Sequence, residues 1–321
     1  MQNSPLSNDN RTTNNAPCGL LVMDKPQGFT SFDLCAKLRG ILHQKHIGHT
    51  GTLDPMATGV MVVLLGNAAR ASELLPEHDK RYTAGFRLGE ITDTLDSTGT
   101  LLETHTCSAA FADIEKTLAD FSGDIMQLPP MYSAVHVGGQ RLYKLARQGI
   151  EVERTPRPVT ISRLELLAYN DSTHEGTLDI ECSKGTYIRS LIDDIGRALG
   201  CGGIMTSLRR TCASGYTLEQ AHTIEEVAQA AADGDIEKLL LPVDGALSSM
   251  QRCEISAAQA VRYRNGGGLS LDRLGDFSGS EGERIRVYSD GVFIGIGRIA
   301  AAKEPVSGGC ALELQPYKRL T

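Results

Sequence analysis

The stretch Gly48-His49-Thr50-Gly51-Thr52-Leu53-Asp54-Pro55-Met56-Ala57-Thr58-Gly59 constrains this chain more than any other. Its three glycines admit positive φ and close approach to a ligand, both barred to residues with a Cβ. Asp54 precedes a proline, whose ring pushes it out of the helical region toward an extended or turn conformation. Directly behind lies Val60-Met61-Val62-Val63-Leu64-Leu65, a short apolar run bounded by glycines that reads as a buried strand. A polar loop carrying one carboxylate on a core strand suits a site where the loop does chemistry and the strand holds it still. The alternative is an ordinary turn whose aspartate bonds nearby backbone.

A chain of 321 residues can bury a sizeable core and is expected to hold two domains. Apolar residues at 41% and charged residues at 22% are the balance of an ordinary globular protein. No apolar stretch approaches the roughly eighteen residues of a membrane helix. Residues 1–17 are rich in Asn, Ser and Thr and lack the apolar core of a secretory signal, so they read as a disordered tail. Eight scattered cysteines (Cys18, Cys35, Cys107, Cys182, Cys201, Cys212, Cys253 and Cys310) form no C-x-x-C pair. That pattern speaks against a zinc site and a disulfide framework, and for reduced thiols in the cytoplasm. With no P-loop and no G-x-G-x-x-G after a strand, a nucleotide cofactor is not expected.

The net charge of −7 argues weakly against a polyanionic partner. Between Met131 and Glu165, however, six basic residues (Arg141, Lys144, Arg147, Arg154, Arg157 and Arg163) face only three acidic ones, and Arg209-Arg210 add a second basic pair. Such a patch is compatible with nucleic acid, and also with a solvated charged face.

Along the chain, Gly19 to Met23 reads as a strand stopped by the turn cluster Asp24-Lys25-Pro26-Gln27-Gly28. Thr30 or Ser31 can cap a helix to about Ile41, with Phe32, Cys35, Leu38 and Ile41 or Leu42 on its apolar face. His43, His46 and His49 have a spacing that could suggest metal ligands, but no acidic or cysteine partner lies near, and no metal is expected. A short helix is expected over 67–75, a strand over 80–88, a solvated acidic loop over 89–96 and a helix over 109–121. In that loop Asp93 and Asp96 are weighed as a Mg²⁺ pair and set aside. A basic helix is expected over 141–149, ending at a glycine cap. Strands follow at 158–169 and 176–183, then a helix from Tyr187 to Leu199 and a strand over 206–211. Beyond a boundary at 248–252 the signals are mostly strands, with one helix over 256–263 and a hairpin whose turn is Ser289-Asp290-Gly291.

Several motifs in order then point to one family. The loop around Asp54, Asp24-Lys25-Pro26, Lys80-Arg81-Tyr82, the segment Pro129-Pro130-Met131-Tyr132-Ser133-Ala134, Arg141-Leu142-Tyr143 and Lys184-Gly185-Thr186-Tyr187-Ile188-Arg189 together resemble the bacterial tRNA pseudouridine-55 synthases, the TruB family. The tail with Val287-Tyr288-Ser289-Asp290-Gly291 and Gly295-Ile296-Gly297 resembles a PUA-type RNA-binding domain. The resemblance spans about Gly19 to Leu320. It implies an α+β fold: a mixed, mainly antiparallel sheet flanked by helices over 18–250, with a tRNA-contacting segment near 127–158, then a β-rich PUA-like domain over 251–321.

The resemblance also implies a reaction and its residues. Uridine 55 in the T-loop of tRNA would be flipped out and isomerised to pseudouridine without a cofactor. Asp54 would be the nucleophile, attacking either C1′ of the ribose or C6 of the base. Tyr82 would stack on the target base and Arg189 would pair with Asp54. Tyr187 and Leu208 would line the uracil pocket, and Lys25 with Pro26 would support the loop. His49 would lie against RNA where the flipped nucleotide left its stack. Arg141, Lys144 and Arg147 would contact the T-arm. The implied protein is a cytoplasmic monomer needing no metal, membrane or protein partner. His136 and Gln140 depart from the family pattern, removing positive charge from the tRNA-contacting segment. Three other readings are weighed: a guide-dependent synthase, an RNA-binding protein without catalysis, and a glycosidase. The last normally needs two carboxylates, where this loop carries one.

Overall fold

The computed structural model describes residues 16–76, 79–302 and 311–320. The polar N-terminal stretch read as a disordered tail therefore lies outside the described residues as far as residue 15. The chain begins with β1 (Gly19–Lys25) and turns into α1 (Ser31–Leu42). Thr30 caps α1: its hydroxyl accepts from Asp33 N at 3.0 Å, and the Asp33 carboxylate accepts from Thr30 N at 3.0 Å. The buried face of α1 is Ser31, Leu34, Cys35 and Leu38. Phe32, expected on that face, is 68% exposed, because the helical spacing that buries Leu34, Cys35 and Leu38 turns residue 32 outward.

Next come β2 (Ile47–His49), β3 (Thr58–Leu65), β4 (Lys80–Leu88) and a hairpin of β5 (Glu90–Thr92) with β6 (Leu101–Thr104). The helix expected over 67–75 is a single 3₁₀ segment, Gly66–Ala71. Then follow α2 (Phe111–Leu118), β7 (Gly123–Gln127), the two-residue strands β8 (His136–Val137) and β9 (Gln140–Arg141), and α3 (Leu142–Ala146). The basic helix is thus shorter than expected, five residues that close in turns before Gly149, whose φ is +72°. The rest of this half is β10 (Arg157–Asn170), β11 (Glu175–Cys182), α4 (Ile188–Ala198), β12 (Gly203–Ala213), β13 (Tyr216–Thr217), α5 (Ile224–Ala232) and α6 (Val243–Ala246).

Nine of these strands form one sheet, ordered β1-β3-β12-β4-β11-β10-β7, with β2 added to β3 and β13 to β12, while β5 with β6 and β8 with β9 pair separately. Every pairing is antiparallel except β12 with β3, so the sheet is mixed and mainly antiparallel, as expected. Helices α2 and α4 cover the side built from β4, β11 and β12, and α1 and α5 cover β1 and β3. Close approach of α4 to the start of β12 needs Gly196, where a Cβ would lie 2.3 Å from the Gly202 carbonyl carbon.

A second sheet is built from β14 (Arg252–Ile255), β15 (Leu269–Ser270), β16 (Arg284–Ser289), β17 (Val292–Ala301) and β18 (Leu312–Lys318), with α7 (Ala257–Arg264) beside it. Its order is β14-β16-β17-β18-β15. The Asp290-Gly291 turn has φ of +53° and +74°, the left-handed pair that matches the twist of a two-residue hairpin. This sheet has its own core, but Tyr288, Phe293, Ile296 and Leu320 are buried with Leu20, Val62 and Leu64 of the larger sheet. The two sheets therefore share apolar contacts.

Truncating Ile296, fully buried in that shared cluster, should cost about 2–5 kcal/mol. With Ile296→Ala, urea unfolding followed by circular dichroism is expected to shift as one transition. A separate early transition would mean that the sheets unfold independently.

Candidate active site

The Asp54 loop leaves β2 and re-enters the sheet at β3. It is pinned at several points along its length. Thr50 N donates to Val62 O at 3.1 Å and Ala57 N to Asp54 O at 3.1 Å. The buried hydroxyl of Ser31, in the first turn of α1, accepts from Leu53 N at 2.8 Å and donates to Leu53 O at 3.2 Å. Gly28 N donates to Pro55 O at 2.8 Å. Lys25 is fully buried, and its ammonium donates to Phe29 O at 2.7 Å, Pro26 O at 3.0 Å and Pro55 O at 3.5 Å. The Asp-Lys-Pro turn and the Asp54 loop are thereby tied together beside α1.

Asp54 meets Arg189, from the first turn of α4, with Nε to Oδ2 at 3.0 Å. The arginine side chain is 6% exposed and the carboxylate 38%, so the cation is sealed in while the carboxylate stays open to an incoming group. Arg189 is fixed by its remaining donors: Nη1 to Thr94 O and Nη2 to Tyr132 O, both at 2.9 Å. The helix that carries it starts directly after Tyr187, whose N–H donates to the Gln127 amide oxygen at 2.7 Å while that amide donates back to Tyr187 O at 3.1 Å.

Asp96, expected in a solvated acidic loop, is instead buried, and its Oδ2 lies 3.7 Å from Arg189 Nε. Its Oδ1 accepts from Thr94 Oγ1 at 2.8 Å, Thr98 N at 3.0 Å and Thr98 Oγ1 at 2.5 Å. The cause is tertiary: the loop docks on β12 through Ser97 N to Met205 O at 2.9 Å and Met205 N to Leu95 O at 3.1 Å. Arg189 therefore faces two carboxylates. The spacing Asp93-x-x-Asp96 gives no sign of this, although Thr94 and Thr98 flanking Asp96 are the residue types that bond a buried carboxylate locally.

Tyr82, on β4, is buried in one cluster with Leu53, Ala57, Ile188 and Leu208, which brings the loop, α4 and β12 together. Burial pushes its phenol upward from the ordinary range, and the Arg210 guanidinium facing it opposes that rise. Tyr187 is half-buried at the N-cap of α4 and Pro26 half-buried at the turn. His49 is half-buried on β2, with its Nδ1 buried and without a hydrogen-bond partner among the described residues. Burial, and then the charge of Arg210, lower its pKa. Arg141, Lys144 and Arg147 lie exposed around α3, with the Arg147 guanidinium 5.6 Å from the ring centre of Tyr143.

The second expected basic pair is not a surface patch. Arg209 is paired with Asp24, Nη2 to Oδ2 at 2.7 Å, and Arg210 is buried. By sequence alone both read as exposed charge. Period-two alternation with Leu208 turns Arg210 toward the core. Within the expected basic segment, Arg163 is also engaged, with Asp179 and Glu165. Among the described residues no three or more His, Cys, Asp or Glu side chains gather as a metal site, and no helix is long and apolar enough to cross a membrane.

The sequence and the fold both have counterparts among known proteins. Residues 39–188 match the TruB family pseudouridylate synthase N-terminal domain, and residues 189–248 match the tRNA pseudouridylate synthase B C-terminal domain. A tRNA pseudouridine synthase B of Pseudomonas fluorescens (strain Pf0-1) is 43% identical over 88% of this chain and 92% of its own length. A protein of the same name from Saccharophagus degradans is 44% identical over 88% and 91%. A chain of a Cbf5-Nop10-Gar1 crystal structure shares the fold, with a TM-score of 0.67 at 24% identity over 94% of this chain and 85% of that one. The chain belongs to the TruB family of pseudouridylate synthases.

Burial pushes the Lys25 ammonium down to about 8, while the charge of Asp54 pulls it back up. The unfolded chain keeps this proton to about 10.5 and the folded chain only to about 8. Between those values the unfolded state binds more protons, so this group's contribution to stability should rise with pH across that window. An NMR titration of lysine side chains, with Lys25→Met for assignment, should show Lys25 changing near pH 8. Titration above 10 would refute the burial account.

Proposed function

We propose that this protein isomerises uridine 55 in the T-loop of tRNA to pseudouridine, with Asp54 as nucleophile and the target base flipped into the site. The observation that carries the reading is the half-open Asp54 carboxylate, held at 3.0 Å by a sealed Arg189 over a cluster containing Tyr82 and Leu208. The relatives named for tRNA support the substrate.

The reaction needs no electron acceptor and no second substrate. The N1–C1′ bond of uridine breaks, the uracil turns within the pocket, C5 bonds to C1′ and loses its proton, and the freed N1 takes one up, so the product is an isomer of the substrate. A carboxylate forms a covalent adduct with the nucleotide and is expelled at the end, unchanged. Arg189 and its carbonyl partners fix the angle of Asp54, so that the attacking oxygen is in place before substrate arrives. Tyr82 and Leu208 form an apolar wall against which the uracil face stacks, and Tyr187 stands at its edge. His49 faces the gap left by the extruded nucleotide, where a neutral ring stacks without a desolvation penalty for charge. Arg141, Lys144 and Arg147 contact T-arm phosphates, with His136 and Gln140 contributing no fixed charge beside them. The sheet from about residue 251 acts as a PUA-like RNA-binding module, and the protein works as a monomer in the cytoplasm.

Two measurements test this. On an unmodified transcript with 5-³H-uridine, the wild type should release tritium from position 55 alone. Asp54→Asn should release none while binding the transcript within about twofold, since one oxygen is exchanged for an amide and the rest of the RNA-facing surface is kept. Release by Asp54→Asn would remove it as nucleophile. Replacing Arg141, Lys144 and Arg147 together with Ala should flatten the salt dependence of binding by up to about 0.9 in slope for each phosphate no longer neutralised. An unchanged slope would place the T-arm elsewhere.

A further inference from the structure

Arg210 has the largest side chain among the described residues that are almost wholly buried, at 1% exposure. A guanidinium keeps its proton in any folded protein, so a full positive charge lies beneath the Asp54 loop. Its partners are carbonyls: Nε donates to Val60 O at 2.7 Å, Nη2 to Gly51 O at 3.2 Å and Nη1 to Thr52 O at 3.3 Å. Gly51 and Thr52 precede Asp54 and Val60 follows it, so one side chain clasps both ends of the loop. Across the sheet, the Arg210 Cα is paired with Gly59 on one side and Tyr82 on the other.

Burying a charge without a carboxylate partner is costly, and an apolar side chain of similar volume would fill the same space without that cost. A purely structural role does not require the charge. We infer that Arg210 is a positioning residue, whose clasp on Gly51, Thr52 and Val60 fixes Asp54 relative to Tyr82 without touching the nucleotide. The inference rests on Asp54 being the nucleophile. The rigid fork suits this role, because its donors diverge in one plane toward three carbonyls, and an ammonium on a lysine stem cannot reproduce that arrangement. The same charge lies near enough to oppose the upward shift of Tyr82 and to lower His49, as expected of a cation under the floor of the site.

The test uses the full-length chain as wild type, Arg210→Lys, Arg210→Met and Asp54→Asn. Single-turnover tritium release, transcript affinity and hydrogen exchange of the amides over 50–58 are measured below each melting temperature. Arg210→Lys keeps the charge and most of the length, so it decides the matter if Arg210→Met does not fold. The expected result is a chemical step slowed about 100-fold, the scale of a misplacement of order 1 Å. Transcript affinity should stay within about threefold, with faster exchange confined to the loop. A lower melting temperature with a wild-type chemical step would reduce Arg210 to a core residue and overturn the inference. So would an affinity loss that matches the rate loss. Asp54→Asn separates the two readings: if it also turns over, the nucleophile assignment has failed, and loop exchange alone then decides for or against the clasp.

Discussion

The close approach of β3 to β12 governs the rest of the site. At Gly59, with φ of +103°, a Cβ would stand 2.2 Å from the Arg210 carbonyl oxygen. Only glycine lets the two backbones meet there. That contact begins the one parallel pairing of the larger sheet, Thr58 and Gly59 with Arg209 and Arg210. It brings the end of the Asp54 loop onto β12, one strand away from β4 and Tyr82. Had β3 joined at an edge, Asp54 would lie far from α4, and Arg189 could not reach it.

The second constraint is electrostatic. Lys25, Arg189 and Arg210 are all buried near one loop, and each is solvated mainly by backbone carbonyls. Of the three, Arg189 meets carboxylates. The carbonyls that hold these cations belong mostly to irregular segments, residues 26–29, 51–55, 94 and 132, whose oxygens have no ladder partner to lose. Positive charge thus orders the loops at the site in place of regular secondary structure. The half-exposed Asp54 sits in this field, which also suits a substrate that carries phosphates.

The local parts of this architecture were legible in the sequence. Gly28, Asp290 and Gly291 mark turns because their positive φ values are written in residue type. Strand signals marked β1, β4, β10 and β11, and a cap at Thr30 or Ser31 marked the start of α1. The Asp54–Arg189 pair entered only through family resemblance, since nothing local joins a loop before β3 to a helix before β12. The burial of Asp96 was not legible, because it depends on Met205, whose backbone draws the loop onto β12. Phe32 and Arg210 were misplaced for a related reason. Hydrophobicity set the expected face of each, whereas helix phase turned one outward and strand phase turned the other inward.

The C-terminal sheet is less separable than its composition suggests. Val62 and Leu64, which lie on β3 directly beyond the Asp54 loop, are buried in the cluster that takes in Tyr288, Phe293 and Ile296. Arg286 reinforces the junction by donating to Met250 O at 3.0 Å, and the Tyr288 hydroxyl donates to Asp244 Oδ2 at 2.7 Å. The strand that anchors the loop therefore has alternate side chains buried against the second sheet. Under the proposed RNA-binding role, RNA bound across that sheet would press on β3, the strand directly beyond the Asp54 loop. A hinge between the two units would need these apolar contacts to part.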